Sequence, residues 1–257
     1  MSLNFCFIGA GNLATQLSKA FKKKGFKITQ IYSRTEQSAK KLADLLNINY
    51  TTSIHEIVKN ADIYFVALKD EIVHEVLSQI NFENKLVVHC SGSQSLSGFE
   101  RYSENIGVFY PLQTFSKTRD VDFSEIPIFV ESNSNKNEKL LLQIAGEISD
   151  SVSLLNSEKR KMLHISAVFA CNFVNHFYTI AADILKSKNI PFEVLKPLIL
   201  ETAKKVQEME PERAQTGPAI RFDEKIMNSH LNELNEFGDY QQLYKLISKS
   251  IFDRYKI

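Results

Sequence analysis

Tryptophan is absent from the 257 residues, so ligand binding has little intrinsic fluorescence to report it. Cysteine is scarce. Cys6, Cys90 and Cys171 are odd in number, widely spaced and form no C-x-x-C pair, which argues against a disulfide framework or a zinc site. Two His-Glu pairs, His55-Glu56 and His74-Glu75, lack the second histidine of a metalloprotease helix, because Lys59 and Ser78 stand in its place. No metal site is expected. Charge of one sign is also missing: 31 basic residues face 30 acidic ones, a net charge of +1. That balance offers no electrostatic basis for nucleic acid or an anionic membrane as partner. No apolar run approaches the roughly 20 residues that span a bilayer. Met1-Ser2-Leu3-Asn4 lacks a positive n-region, and Phe5-Cys6-Phe7-Ile8 is too short for a signal-peptide core. The expectation is a cytoplasmic, metal-free protein without membrane or nucleic-acid partners.

A hydrophobic share of 44% and a charged share of 24% suit one large globular domain or two modest ones. Residues 3–8 form a continuous apolar run, as in a strand buried on both faces of a parallel sheet. Leu13, Leu17, Ala20 and Phe21 then repeat at helical spacing up to Gly25. Strands are expected at 27–32, 62–68, 86–88, 106–109, 127–130 and 152–155, and helices at 35–46 and 137–148. Ile72, Val73, Val76, Leu77 and Ile80 mark another helix, and Ser53-Ile54-His55-Glu56 has capping-box spacing for a short one. Such alternation argues for an α/β fold with a doubly wound parallel sheet over residues 1–155. From residue 147 to 190 there is neither glycine nor proline, and Leu163, Ala167, Ala170, Val174, Phe177, Ala181 and Ile184 keep a 3.6-residue rhythm. Residues 156–188 would form a helix of about 50 Å. No convincing strand follows, so residues 156–257 read as an all-helical second domain.

Gly9-Ala10-Gly11-Asn12-Leu13-Ala14 follows the first strand and opens the first helix. It fits G-x-G-x-x-A, in which Gly9 allows a tight turn, Gly11 lets backbone approach a pyrophosphate, and Asn12 and Leu13 begin the helix whose N–H groups face it. NAD-selective folds carry an acid at the end of the second strand. Here Ser33-Arg34-Thr35 offers two hydroxyls and a guanidinium fork instead, which suits the 2′-phosphate of NADP; a helix N-cap at Ser33 or Thr35 beside a solvated arginine is the structural alternative. Leu68 and Lys69 end a later strand and can line the nicotinamide ribose, with Asp70 capping the next helix. Ser91 and Gly92 end another strand and can approach the nicotinamide or the substrate, although a helix-capping turn explains them equally well. On the long helix, His164, Val168, Cys171, Asn172 and Asn175 fall on one face at 100° per residue. His164 suits proton transfer, with Asn172 beside it in the reaction and Asn175 orienting substrate. A histidine and asparagines bonded across an interface are the structural alternative. Arg221, after Thr216-Gly217-Pro218, can hold a substrate carboxylate or close over the cofactor of a partner subunit, and Asp223 reads as a helix N-cap.

Phe7-Ile8-Gly9-Ala10-Gly11-Asn12-Leu13-Ala14 with Ser33-Arg34-Thr35 resembles the cofactor half of pyrroline-5-carboxylate reductases and deazaflavin-dependent NADP reductases. His89-Cys90-Ser91-Gly92-Ser93, Tyr110-Pro111-Leu112-Gln113-Thr114-Phe115 and Thr216-Gly217-Pro218 resemble a bacterial family of NADP oxidoreductases that joins a Rossmann-like domain to a helical one. The resemblance implies a 6-phosphogluconate dehydrogenase-like fold whose helical domain dimerises and closes the active site. It also leads one to expect a histidine where Tyr110 stands, which leaves that ring without an expected catalytic role. Neither the Ser-Gly-Ser-Gly-Pro segment of pyrroline-5-carboxylate reductases nor the K-x-x-N of β-hydroxyacid dehydrogenases is present. The expected function is hydride transfer between NADPH and a small imine or carbonyl substrate. The alternatives are a non-catalytic NADP-binding sensor and a deazaflavin-linked reductase.

Overall fold

The computed structural model describes residues 3–256. One eight-stranded sheet has the order β3-β2-β1-β4-β5-β6-β7-β8. Its strands are β1 (Asn4–Ile8), β2 (Lys27–Tyr32), β3 (Asn49–Thr51), β4 (Ile63–Val66), β5 (Leu86–His89), β6 (Ile106–Pro111), β7 (Ile128–Ser132) and β8 (Val152–Leu154). Between them lie α1 (Asn12–Lys23), α2 (Glu36–Leu46), α3 (Val73–Leu77) and α4 (Asn135–Gly146). The apolar run of β1 is explained by burial on both faces. Phe5 and Phe7 join Leu17, Phe21, Phe65 and Phe109 in one core, while Cys6 and Ile8 join Tyr64, Val66, Leu77 and Phe99 in the other. Phe7 stacks on Phe65 at 5.3 Å, and Phe21 meets Phe109 edge-on at 5.7 Å.

Two expectations need correction here. The sheet is not wholly parallel: β7 runs antiparallel to β6, pairing Phe109 with Val130. Residues 112–127 carry a single 3₁₀ turn, Phe123–Glu125, and no crossover helix, so the chain re-enters at the end it left, as an antiparallel partner must. β8 then pairs parallel to β7. The capping box at Ser53 is also not formed. Ile54–Glu56 is one 3₁₀ turn without a side-chain cap from Ser53, and Thr51 Oγ1 instead donates to Glu56 Oε2 at 2.8 Å.

The long helix runs through α5 (Ser157–Ala167), a π-helical stretch (Val168–Phe173) and α6 (Val174–Ser187). Contrary to the sequence expectation, this 31-residue run is long and apolar enough by composition to cross a membrane. The π stretch winds more slowly than 100° per residue, so the helical face drawn from His164 to Asn175 does not carry through it.

The chain divides into two compact units between Cys171 and Asn172. The sheet ends at Leu154, yet the first unit continues past the expected boundary at residue 155. The reason is local: α5 is bonded to strand ends by Ser157, Arg160 and His164. The second unit holds α6, α7 (Lys196–Glu208), α8 (Pro211–Ala214), α9 (Glu224–Glu233) and α10 (Gly238–Tyr255). Inside it Tyr240 Oη donates to Asp183 at 2.7 Å, and Phe222 stacks on Phe252 at 4.1 Å. Among the described residues it contains no strand.

Candidate active site

The strand order reverses between β1 and β4, and doubly wound sheets hold ligands at that point, beyond the strands' carboxyl ends. Gly9 N donates to Tyr32 O at 2.8 Å to close the turn after β1. Gly9 has φ +120°, and a Cβ there would stand 2.3 Å from Ala67 O, so two independent constraints require glycine. Gly11 differs. As N-cap of α1 it has φ −79°, no side-chain cap is present, and a Cβ would meet no protein atom within 4 Å. Its bareness is therefore not imposed by neighbouring protein. It leaves room above the first turn of a twelve-residue helix whose N–H groups point outward. This cradle fits a pyrophosphate.

Asn12 is exposed, and its Nδ2 donates to Phe115 O at 2.9 Å. Gln16 Nε2 donates to Ser116 O at 2.6 Å and Arg119 O at 3.0 Å, and Lys19 pairs with Asp120. These contacts bind residues 115–120 along α1, an arrangement that sequence spacing did not announce. Leu13 packs partly buried against the core. At the end of β2, Ser33 N donates to Thr51 O at 3.2 Å. The hydroxyls of Ser33 and Thr35 and the guanidinium of Arg34 make no side-chain hydrogen bond among the described residues; Thr35 is the N-cap of α2 but caps through no side chain. No acid stands among the three.

Leu68 reaches the Gly9 turn, where its Cδ2 would lie 3.4 Å from a Cβ, and Lys69 is exposed. Asp70 does not cap α3, whose N-cap is Ile72. Its carboxylate accepts from Ser93 Oγ and ties the ends of β4 and β5 together. Ser91 Oγ accepts from Ser93 N and Gln94 N at 3.1 Å each, so this hydroxyl shapes its own turn. Behind it His89 is fully buried, stacked on Phe99 at 4.2 Å, with Nδ1 accepting from Ser91 N at 3.3 Å. Burial pushes its pKa down to about 3, aided by the charges of Arg160 and His74.

α5 lies over these strand ends. Arg160 is wholly buried. Its guanidinium pairs with Glu131 on β7, donates to Gln94 O at 2.6 Å and reaches Ser157 Oγ at 3.2 Å. One turn later, His164 Nδ1 is 2.9 Å from Tyr110 Oη at the end of β6. Its ring lies against Gly92, where a Cβ would come within 2.6 Å of Cγ and Nδ1. His164 and Gly92, both singled out from sequence, are thus in contact. Tyr110 and Arg160, which sequence reasoning did not place, complete the group. Asn172, Asn175 and Arg221 belong to the second unit, and each is exposed. Asp223 is the N-cap of α9, accepting from Ile226 N at 3.2 Å.

A model described as NADP oxidoreductase, coenzyme F420-dependent, matches residues 4–92, and a domain of unknown function, DUF2520, matches residues 126–251. A Bacteroides fragilis protein, provisionally described as an NADP oxidoreductase, is 48% identical over 98% of both chains with a TM-score of 0.95. The chain belongs to this two-part NADP oxidoreductase family. Human pyrroline-5-carboxylate reductase 2 is 31% identical to this chain over 102 residues. That match spans 37% of this chain and 32% of the reductase's length. A reductive aminase from Aspergillus terreus, solved with NADPH and ethyl levulinate, shares 12% identity and a TM-score of 0.72 over the whole of both chains, a likeness of fold alone.

Proposed function

We propose that the protein transfers a hydride between NADPH and a small imine or carbonyl compound, with His164 supplying the proton. The observation that carries this reading is the placement of His164 against Gly92 and Tyr110, at the carboxyl ends of β5 and β6 in the unit that bears the glycine cradle. Gly9 and Gly11, with Asn12 and Leu13 opening α1, hold the pyrophosphate. Ser33, Arg34 and Thr35 take the 2′-phosphate, and Leu68, Lys69, Ser91 and Gly92 line the path toward the nicotinamide. The bound cofactor supplies the hydride. In reduction, a proton from His164 meets the substrate nitrogen or oxygen as the hydride reaches carbon, so the double bond is consumed and the product leaves neutral.

The helical unit is read as the surface of a homodimer. Val194, Leu198, Leu200 and Leu246 are each more than half exposed, more apolar surface than a solitary chain ordinarily leaves in water. Three free cysteines suit a reducing, cytoplasmic compartment. The test is NADPH oxidation against a panel of cyclic imines, oxo acids and aldehydes, using wild type and His164→Gln. Turnover that falls at least a hundredfold in the variant supports the reading. Undiminished turnover removes His164 from the chemistry. NADPH binding without turnover of any compound leaves a cofactor-binding sensor. The F420 description of the matching model adds a deazaflavin to the panel.

A further inference from the structure

We infer that Tyr110 is a positioning residue that fixes the tautomer of His164 and leaves Nε2–H as the edge presented to substrate. The chemical use of that edge rests on the function proposed above, whereas the tautomer itself does not. Three observations meet here. Tyr110 Oη lies 2.9 Å from His164 Nδ1, although 54 residues separate them in sequence. Tyr110 is 7% exposed, and among the described residues Nδ1 is the hydrogen-bond partner of its hydroxyl. The Cβ, Cγ and Nδ1 atoms of His164 are the ones pressed against Gly92, where a Cβ would approach within 2.6–2.9 Å.

The direction of the hydrogen bond follows from proton bookkeeping. A buried phenol whose O–H lacks an acceptor loses a hydrogen bond that water would have supplied. Burial also raises the Tyr110 pKa, against a lesser opposing pull from the Arg160 charge, so the phenol keeps its proton at neutral pH. The neutral imidazole offers one acceptor nitrogen and one donor nitrogen. With Tyr110 donating to Nδ1, the ring proton must sit on Nε2. Gly92 closes off the Nδ1 side and Tyr110 occupies its lone pair, so Nε2 is the nitrogen open to an incoming carbonyl or imine; as Nε2–H passes to the substrate, the Tyr110 O–H proton moves to Nδ1, the ring stays neutral, and the phenolate near the Arg160 charge regains a proton from water. Tyr110 thereby orients the proton carrier and does not itself touch the reacting atoms.

The test is a long-range proton–nitrogen NMR spectrum of the full-length protein labelled with 15N-histidine, recorded at neutral pH, with His164 assigned from the signal lost in His164→Gln. The expected wild-type pattern is protonated Nε2 with Nδ1 as hydrogen-bond acceptor. In Tyr110→Phe the phenol oxygen is gone while the ring remains, and the His164 signals should move toward a mixture of the two tautomers. NADPH affinity should stay within about twofold and the melting transition should remain cooperative, showing that the variant is folded. A wild-type proton on Nδ1 overturns the inference, as does a folded Tyr110→Phe variant whose His164 signals do not move. If the tautomer behaves as expected while His164→Gln turns over substrate normally, the proposed function fails and the positioning by Tyr110 stands.

Discussion

The imidazole of His164 lies so close over Gly92 that a Cβ at residue 92 would stand 2.6 Å from both Cγ and Nδ1. Glycine at this position is therefore set by a side chain 72 positions further along the chain. The expected consequence of Gly92→Ala is displacement of the ring and loss of its bond to Tyr110, costing about 1–3 kcal/mol of stability as an overpacked contact does. Chemical denaturation measures the cost. NADPH-linked turnover should fall more steeply than NADPH affinity, because the glycine cradle lies elsewhere.

Gly11 offers the opposite experiment. Its φ of −79° suits any residue, and a Cβ would meet nothing in the protein within 4 Å. Gly11→Ala should fold with wild-type stability, within about 0.5 kcal/mol, and lose most NADPH affinity by calorimetry, because the methyl would occupy the pyrophosphate's place. Retained affinity would show that the cradle is empty of function. Gly9→Ala is no substitute, since Ala67 O blocks it in the apo protein.

Arg34→Ala should separate the two nicotinamide cofactors. Charge-assisted hydrogen bonds contribute about 1.5–3 kcal/mol, so NADPH affinity should drop roughly ten- to a hundredfold while NADH affinity changes little. Equal losses for both would remove the phosphate role from Arg34.

Arg160→Met tests the clamp on α5. The guanidinium is fully buried and its partner Glu131 is 16% exposed, so the variant strands a mostly buried carboxylate. Removing one partner of such a pair costs about 3–5 kcal/mol, and the partial exposure of Glu131 favours the lower end. A denaturation midpoint close to wild type would show that water enters to replace the pair.

His89 makes stability depend on pH. Its folded pKa of about 3 lies below the ordinary 6.5, so between those values the unfolded chain binds more protons than the folded one. Stability from this group is present above 6.5 and is lost as the pH falls toward 3. Acidification from pH 7 to 5 should cost about 2 kcal/mol through His89. His89→Gln, which keeps an acceptor for Ser91 N, should flatten that part of the curve in urea titrations at several pH values.

The local parts of the site were legible in the sequence and the long-range parts were not. The continuous apolar run of β1, the glycines after it and the acid-free Ser33–Arg34–Thr35 stretch are contiguous, and their chemistry depends on near neighbours. The direction of β7 was hidden because a buried strand has the same apolar composition whichever way it runs. The pairing of Tyr110 with His164 joins a strand to a helix across 54 residues, and no periodicity encodes such a meeting. The π stretch of Val168–Phe173 likewise defeated a face drawn at a constant angle per residue, since its slower winding has no compositional sign.

The bonds that hold residues 115–120 along α1 come chiefly from the amides of Asn12 and Gln16 to the main-chain carbonyls of Phe115, Ser116 and Arg119. A carbonyl is present whatever residue carries it. Ser116, Lys117, Thr118 and Arg119 can therefore be exchanged over evolutionary time without the ribbon losing its course beside the glycine cradle. Variation among descendants of this sequence can accumulate in that ribbon while Asn12 and Gln16 stay put, giving one inherited scaffold a place in which to diversify.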